Sequence, residues 1–174
     1  MEAIMEEHTG IVTFLGNPLT LLGPQVEKGD TAPDATLLDN DMNPVKLSSY
    51  RGKTCIISSV PSLDTPVCDM ETRRFNTEAA KIGAGTVILT VSMDLPFAQK
   101  RWCGAAGVDK VITLSDHRNA EFGTAYGVLI KELRLLARTI FIVDPQGKIR
   151  YVQQVKEVSQ EPDYEAVLNA LSSL

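Results

Sequence analysis

In the stretch TPVCDMETRRF, residues 65–75, a threonine, a proline and a cysteine fall in the order that opens a helix. Thr65 suits the N-cap, Pro66 suits the first helical position because its missing N–H is not needed there, and Cys68 then occupies the third. A capping box would place Glu or Gln at that position; here a thiol holds it. Sulfur in the first turn lies near unpaired backbone N–H groups and the positive end of the helix dipole, and both favour thiolate over thiol. Because the thiolate is the nucleophile, the position suits a cysteine that attacks an electrophile. The other reading is packing, since cysteine is among the most buried residue types, and residue order alone leaves both open.

The remaining candidates are weaker when taken singly. Cys55 opens the apolar run CIISSV and reads as core. Cys103, between Trp102 and Gly104 near a helix end, reads by itself as a packed small residue. Arg138 enters a strand, where an arginine is ordinarily a rim residue, although its permanent charge and several donors also suit it to an anionic site. Three scattered cysteines with His8 and His117 provide no close ligand spacing such as C-x-x-C, so no metal site is expected. Both histidines are read as facing solvent or bonded to local backbone, and Trp102 and Phe97 receive no role.

These residues need elements to hold them. TCIISSV (54–60), TVILTVSM (86–93) and KVITLSD (110–116) are compact apolar runs with β-branched residues and read as buried strands. Between them lie helical stretches, Pro66 to Ile82 ending at Gly83 and Pro96 to Ala106 ending at Gly107. RTIFIVD and RYVQQVK flank PQGK and predict an antiparallel hairpin, and Pro162 to Leu174 closes the chain as a helix. At the other end, VTFLGNPLTLLG predicts an N-terminal hairpin turning around Gly16, Asn17 and Pro18. The stretch from Glu27 to Lys53 reads as irregular chain with short extended pieces. Parallel crossovers followed by an antiparallel pair and a last helix predict an α/β protein with a thioredoxin-like fold: a mixed central sheet flanked by helices, plus the hairpin.

Composition narrows the function classes. A chain of 174 residues is expected to form a single domain over residues 1–174. A net charge of −5 gives no basic footprint for nucleic acid or anionic lipid. The N-terminal MEAIMEEHTG lacks the basic and apolar regions of a signal peptide, and no apolar run approaches the roughly 18 residues of a spanning helix. A cytoplasmic location is expected. In that reducing setting three cysteines are not a disulfide framework, and their reactivity becomes the question.

Taken together, the motifs carry a family resemblance. Pro61, Thr65 and Cys68 in PSLDTPVC match the P-x-x-x-T-x-x-C signature of peroxiredoxins. KGDTAPD upstream, AQKRWCGAAGV around Cys103, SDHRNAEFGTAYGVL, and LLARTIFIVDPQGKI with Arg138 follow in order. The chain thus resembles the peroxiredoxin family in its bacterial atypical two-cysteine branch, the thiol peroxidases, over nearly its whole length. The resemblance implies that Cys68 is the peroxidatic cysteine and Cys103 the resolving one. It also implies that Thr65 orients thiolate and peroxide, Arg138 stabilises the charges, and Pro61 shields the site. No cysteine follows Cys103, so an intramolecular Cys68–Cys103 disulfide with local unwinding is expected rather than a bond near the partner's C-terminus. Further implications are a hydroperoxide substrate, thioredoxin as reductant, a homodimer, and no metal, haem or flavin cofactor. Two rivals differ in kind. A thiol-disulfide oxidoreductase would ordinarily carry C-x-x-C, and a redox sensor would use the same Cys68 chemistry without turnover.

Overall fold

The computed structural model describes residues 4–79 and 81–174. The three apolar runs form β5 (Thr54–Ser59), β6 (Thr86–Ser92) and β7 (Ile112–Ser115), paired in parallel in that order. Both faces of these strands are covered, so their residues are apolar on successive positions rather than alternately. In β5, Cys55 and Ile57 pack to one side and Ile56 to the other; in β6, Leu89 and Val91 oppose Ile88. The PQGK hairpin is β10 (Thr139–Val143) and β11 (Ile149–Gln154), and β10 lies antiparallel on β5.

Two short strands inside the stretch expected to be mostly irregular, β3 (Thr36–Leu38) and β4 (Pro44–Lys46), complete the far edge. The central sheet runs β11-β10-β5-β6-β7-β3-β4. One face carries α1 (Pro66–Ala79), α2 (Pro96–Ala106) and α4 (Tyr164–Ser172), whose Phe75, Trp102 and Val167 pack against Ile56, Ile88, Ile140 and Ile142. The expected end of the first helix at Ile82 is not reached: Lys81 is already in a turn, and residue 80 lies outside the described residues. The second helix has its expected bounds, ending at Gly107, whose left-handed φ of 66° closes it through an N–H donated to the Cys103 carbonyl.

The N-terminal hairpin is β1 (Glu7–Phe14) and β2 (Asn17–Leu22). Its turn is at Leu15 and Gly16, both with positive φ, one position earlier than expected, and Asn17 and Pro18 belong to the strand. It does not extend the central sheet. With β8 (Leu129–Ile130) and β9 (Leu135–Leu136) it makes a separate sheet, β1-β2-β8-β9, and its Val12, Leu19 and Leu21 join the core on the face opposite the three helices. The SDHRNAEFG motif is part of this packing. Asp116 accepts the N–H groups of Phe122 and Gly123 at 3.0 and 2.8 Å, starting α3 (Glu121–Ala125), while burial pushes its carboxyl up to about 6. Among the described residues no helix is long and apolar enough to cross a membrane.

Candidate active site

The loop after β5 turns at the carboxyl end of the parallel strands and delivers Cys68 into the first turn of α1. Asp94 holds that loop: its carboxylate accepts the Ser62 hydroxyl at 2.7 Å and the Leu63 N–H at 2.8 Å. Pro61 is buried within the loop. The Thr65 carbonyl accepts the Asp69 N–H at 3.0 Å, which starts the helix where the capping rules placed it. The threonine hydroxyl departs from that expectation, donating backward to the Ser62 carbonyl at 2.8 Å rather than capping a helical N–H. An Oγ1 engaged with the loop leaves the first-turn N–H groups, those nearest the sulfur, uncapped by it.

Cys68 is 0% exposed and packs with Val60, Leu63 and Trp102. Arg138, at the entry to β10, is buried beside it and donates from Nη2 to Sγ at 3.2 Å. The guanidinium is held from two further sides. Nη1 donates to Glu71 Oε2 at 2.5 Å, and Nε and Nη2 donate to the Val158 carbonyl at 3.1 and 3.0 Å. The Ser58 hydroxyl donates to the other Glu71 oxygen at 2.7 Å. Burial works against charge on Arg138, but the negative charges of Glu71 and Cys68 outweigh it and raise its pKa. For Glu71 burial prevails over Arg138 and Ser58 and pushes the carboxyl up. A buried guanidinium held from two further sides and donating to sulfur can stabilise negative charge at that position.

Glu71, Ser58 and the Val158 carbonyl were not singled out from the sequence. Glu71 had a readable signal: Cys68, Glu71, Thr72 and Phe75 occupy one stripe of α1, and a carboxylate on a buried stripe needs a cationic partner. The Val158 carbonyl had none, because any residue supplies one.

Cys103 is not brought to Cys68. Its half-buried sulfur lies on α2, 3.4 Å from the Thr113 hydroxyl, and all three cysteines are free thiols. Trp102, the residue before Cys103, donates from Nε1 to Asp69 at 2.9 Å while its ring packs against the Cys68 cluster. Arg73 adds a second tie between the helices, donating to Asp69 at 2.8 Å and to the Ala106 carbonyl at 3.0 Å. Outside Cys68 lies a groove of about 340 Å³ lined by Leu63, Asp64, Thr65, Pro66, Asp69 and Trp102. Phe97 is largely exposed. The histidines are half-buried instead of facing solvent: His8 Nε2 lies 3.4 Å from Glu6, and His117 Nε2 is buried with no hydrogen-bond partner among the described residues.

Cys55 lies in the core against β10, and burial pushes its thiol up to about 11. It is therefore a poor nucleophile at neutral pH. Cys55→Ser should leave the peroxide turnover implied by the family resemblance within about twofold of wild type while a buried hydroxyl costs about 1 to 3 kcal/mol, read as a lower denaturant midpoint. Loss of turnover in a folded Cys55→Ser protein would assign this thiol to the chemistry.

Comparison with known proteins identifies the family. The Redoxin family model matches residues 27–168. A thiol peroxidase of Oceanobacillus iheyensis is 58% identical over 92% of this chain and 98% of its own. One from Bacillus subtilis is 55% identical over 94% of this chain and 97% of its own. The crystal structure of a peroxiredoxin-like protein from Aquifex aeolicus superposes with a TM-score of 0.88 at 41% identity, covering 95% of this chain and 98% of that one. With a buried cysteine opening a helix under an arginine on a thioredoxin-like sheet, this chain belongs to the redoxins and, among them, to the thiol peroxidases of the peroxiredoxin family.

Proposed function

We propose that this peroxidase reduces hydrogen peroxide and organic hydroperoxides through a Cys68 sulfenic acid and an intramolecular Cys68–Cys103 disulfide, and that thioredoxin recycles it. The observation that carries the first half is the Arg138 guanidinium donating to a fully buried Cys68 sulfur. The thiolate attacks one peroxide oxygen and the O–O bond breaks. Its electron pair leaves on the second oxygen, which takes up a proton and departs as water or alcohol, and sulfur is left as sulfenic acid. Arg138, bonded to sulfur, is positioned to follow the charge from sulfur to the leaving oxygen. Pro61 and the groove residues keep bulk water from the sulfur, and Thr65 orients the incoming peroxide.

In the second half the Cys103 sulfur attacks the sulfenic sulfur, an S–S bond replaces the S–O bond, and water is released. Two electrons from a thioredoxin dithiol restore both thiols. A disulfide needs Cα atoms within roughly 7 Å, so the first turn of α1 and the last turns of α2 unwind after oxidation. Gly104 supports this at the α2 end. A Cβ there would meet open space, so packing does not call for glycine, and glycine weakens a helix interior by about 1 kcal/mol. In this reading residues 1–174 act as one domain, in the cytoplasm and as a homodimer, with no metal or organic cofactor.

The test is peroxide-dependent NADPH consumption with thioredoxin and its reductase, comparing hydrogen peroxide with a bulky alkyl hydroperoxide. Saturable turnover with both substrates is expected. A single stoichiometric oxidation without turnover would replace the catalytic cycle with a sensor's response.

A further inference from the structure

The N-terminal hairpin lies in a separate sheet, on the side of the core opposite α1, yet one carboxylate connects it to the active site. Glu157 accepts the Thr13 hydroxyl at 2.8 Å, the backbone N–H groups of Leu15 and Gly16 at 3.0 and 3.2 Å, and the Ser159 hydroxyl at 2.8 Å. Backbone bonds flank this clamp: Thr13 N–H donates to the Lys156 carbonyl at 2.7 Å and Val158 N–H to the Thr13 carbonyl at 2.9 Å. The turn it grips is strained, because Leu15 has a φ of 50°, a left-handed conformation unfavourable for a non-glycine residue. Donation by Thr13, Ser159 and the turn N–H groups, with Thr13 the largest influence, holds the Glu157 carboxyl down at about 2. It is therefore ionised throughout the neutral range.

The segment gripped in this way is the one that holds Arg138. Val155 N–H donates to the Arg138 carbonyl at 3.0 Å, and the Val158 carbonyl takes guanidinium donations from both Nε and Nη2. Nη2 is also the atom that donates to Cys68. A displacement of Val158 would therefore swing the nitrogen that faces the sulfur, leaving the guanidinium plane to the Glu71 contact on its other side.

We propose that Glu157 is a positioning residue: by clamping the hairpin turn to residues 156–158 it fixes the Val158 carbonyl that aims Arg138 at Cys68. The inference rests on the role given to Arg138 above. It assigns the hairpin a part in catalysis as well as in closing the core.

The test measures two steps separately in the pre-reduced full-length enzyme: oxidation by hydrogen peroxide, followed by stopped-flow fluorescence of the single tryptophan, Trp102, and reduction of the disulfide by thioredoxin. Glu157→Gln should slow oxidation about tenfold and leave reduction unchanged. Thr13→Val should slow oxidation in the same direction, and Thr13→Ser, which keeps the hydroxyl, should restore it. The decisive arm is a double-mutant cycle with Arg138→Lys. If Glu157 acts through the guanidinium, Glu157→Gln should cause no further loss in the Arg138→Lys background, whereas a general loss of stability would add. Unchanged oxidation in Glu157→Gln and Thr13→Val, or additive effects in the cycle, would overturn the inference while leaving a slow Arg138→Lys intact. An unimpaired Arg138→Lys would instead remove the Arg138 reading and this inference with it. If Glu157→Gln fails to fold, the Thr13→Val and Thr13→Ser pair decides.

Discussion

Cys68→Ser should reduce peroxide turnover to the uncatalysed background, a loss of at least about 10³-fold, because in the proposed cycle the step it removes is the nucleophilic attack itself. An alcohol is not appreciably ionised near neutral pH and gives no sulfenic acid, so neither peroxide reduction nor disulfide formation remains. The substitution is small in volume. Arg138 retains an oxygen to donate to, and circular dichroism and the denaturant midpoint should show a folded protein. The other thiols should not substitute: Cys55 is buried in the core with its thiol pushed up to about 11, and Cys103 lies against Thr113 with no arginine donating to it among the described residues. The measurement is thioredoxin-linked peroxide consumption together with intact mass after peroxide treatment. Turnover within tenfold of wild type in the folded Cys68→Ser protein would place the nucleophile elsewhere.

What the sequence revealed depended on how local the signal was. Strands β5, β6 and β7 are short apolar runs bounded by turn residues, and α2 has Pro96 and Gly107 at its ends, so their placement follows from neighbours in the chain. The short strands β3, β8 and β9 were harder, because two or three residues carry no period and their pairing is set by tertiary contact with β7, β2 and each other. The hairpin was legible as a hairpin, but its role was not. That it pairs with β8 and grips Glu157 is a matter of residues more than 100 positions apart.

The site divides along the same line. Thr65, Pro66 and Cys68 are one turn of chain and could be read from capping rules, whereas the meeting of Arg138 with Cys68 spans 70 positions and was expected only through the family motif. Even the local reading was incomplete. Capping rules identified where α1 begins but not which way the Thr65 hydroxyl turns, since the Ser62 carbonyl competes for it only after the loop has folded back.

Cys103→Ser separates the two halves of the proposed cycle. The variant keeps Cys68, Arg138 and Glu71 untouched, so its first reaction with peroxide should proceed within about twofold of the wild-type rate. The sulfenic acid then has no second thiol to trap it. It should persist, react with a dimedone probe, and pass on to sulfinic acid as peroxide is added, with thioredoxin-linked turnover falling by about 10²-fold or more. Wild-type protein under the same treatment should yield a Cys68–Cys103 peptide on non-reducing mass mapping, running as a monomer on non-reducing electrophoresis. If the two helix ends unwind to form that bond, the Trp102–Asp69 and Arg73–Ala106 contacts joining the helices loosen with them, and amide exchange in the first turn of α1 and around Cys103 should quicken on oxidation. A subunit-linked Cys68–Cys103 peptide, a Cys68–Cys55 bond as the main product, or full turnover by Cys103→Ser would each sink the intramolecular Cys68–Cys103 mechanism. The last outcome would also indicate that the reductant attacks the sulfenic acid directly, leaving Cys103 as a packing residue against Thr113.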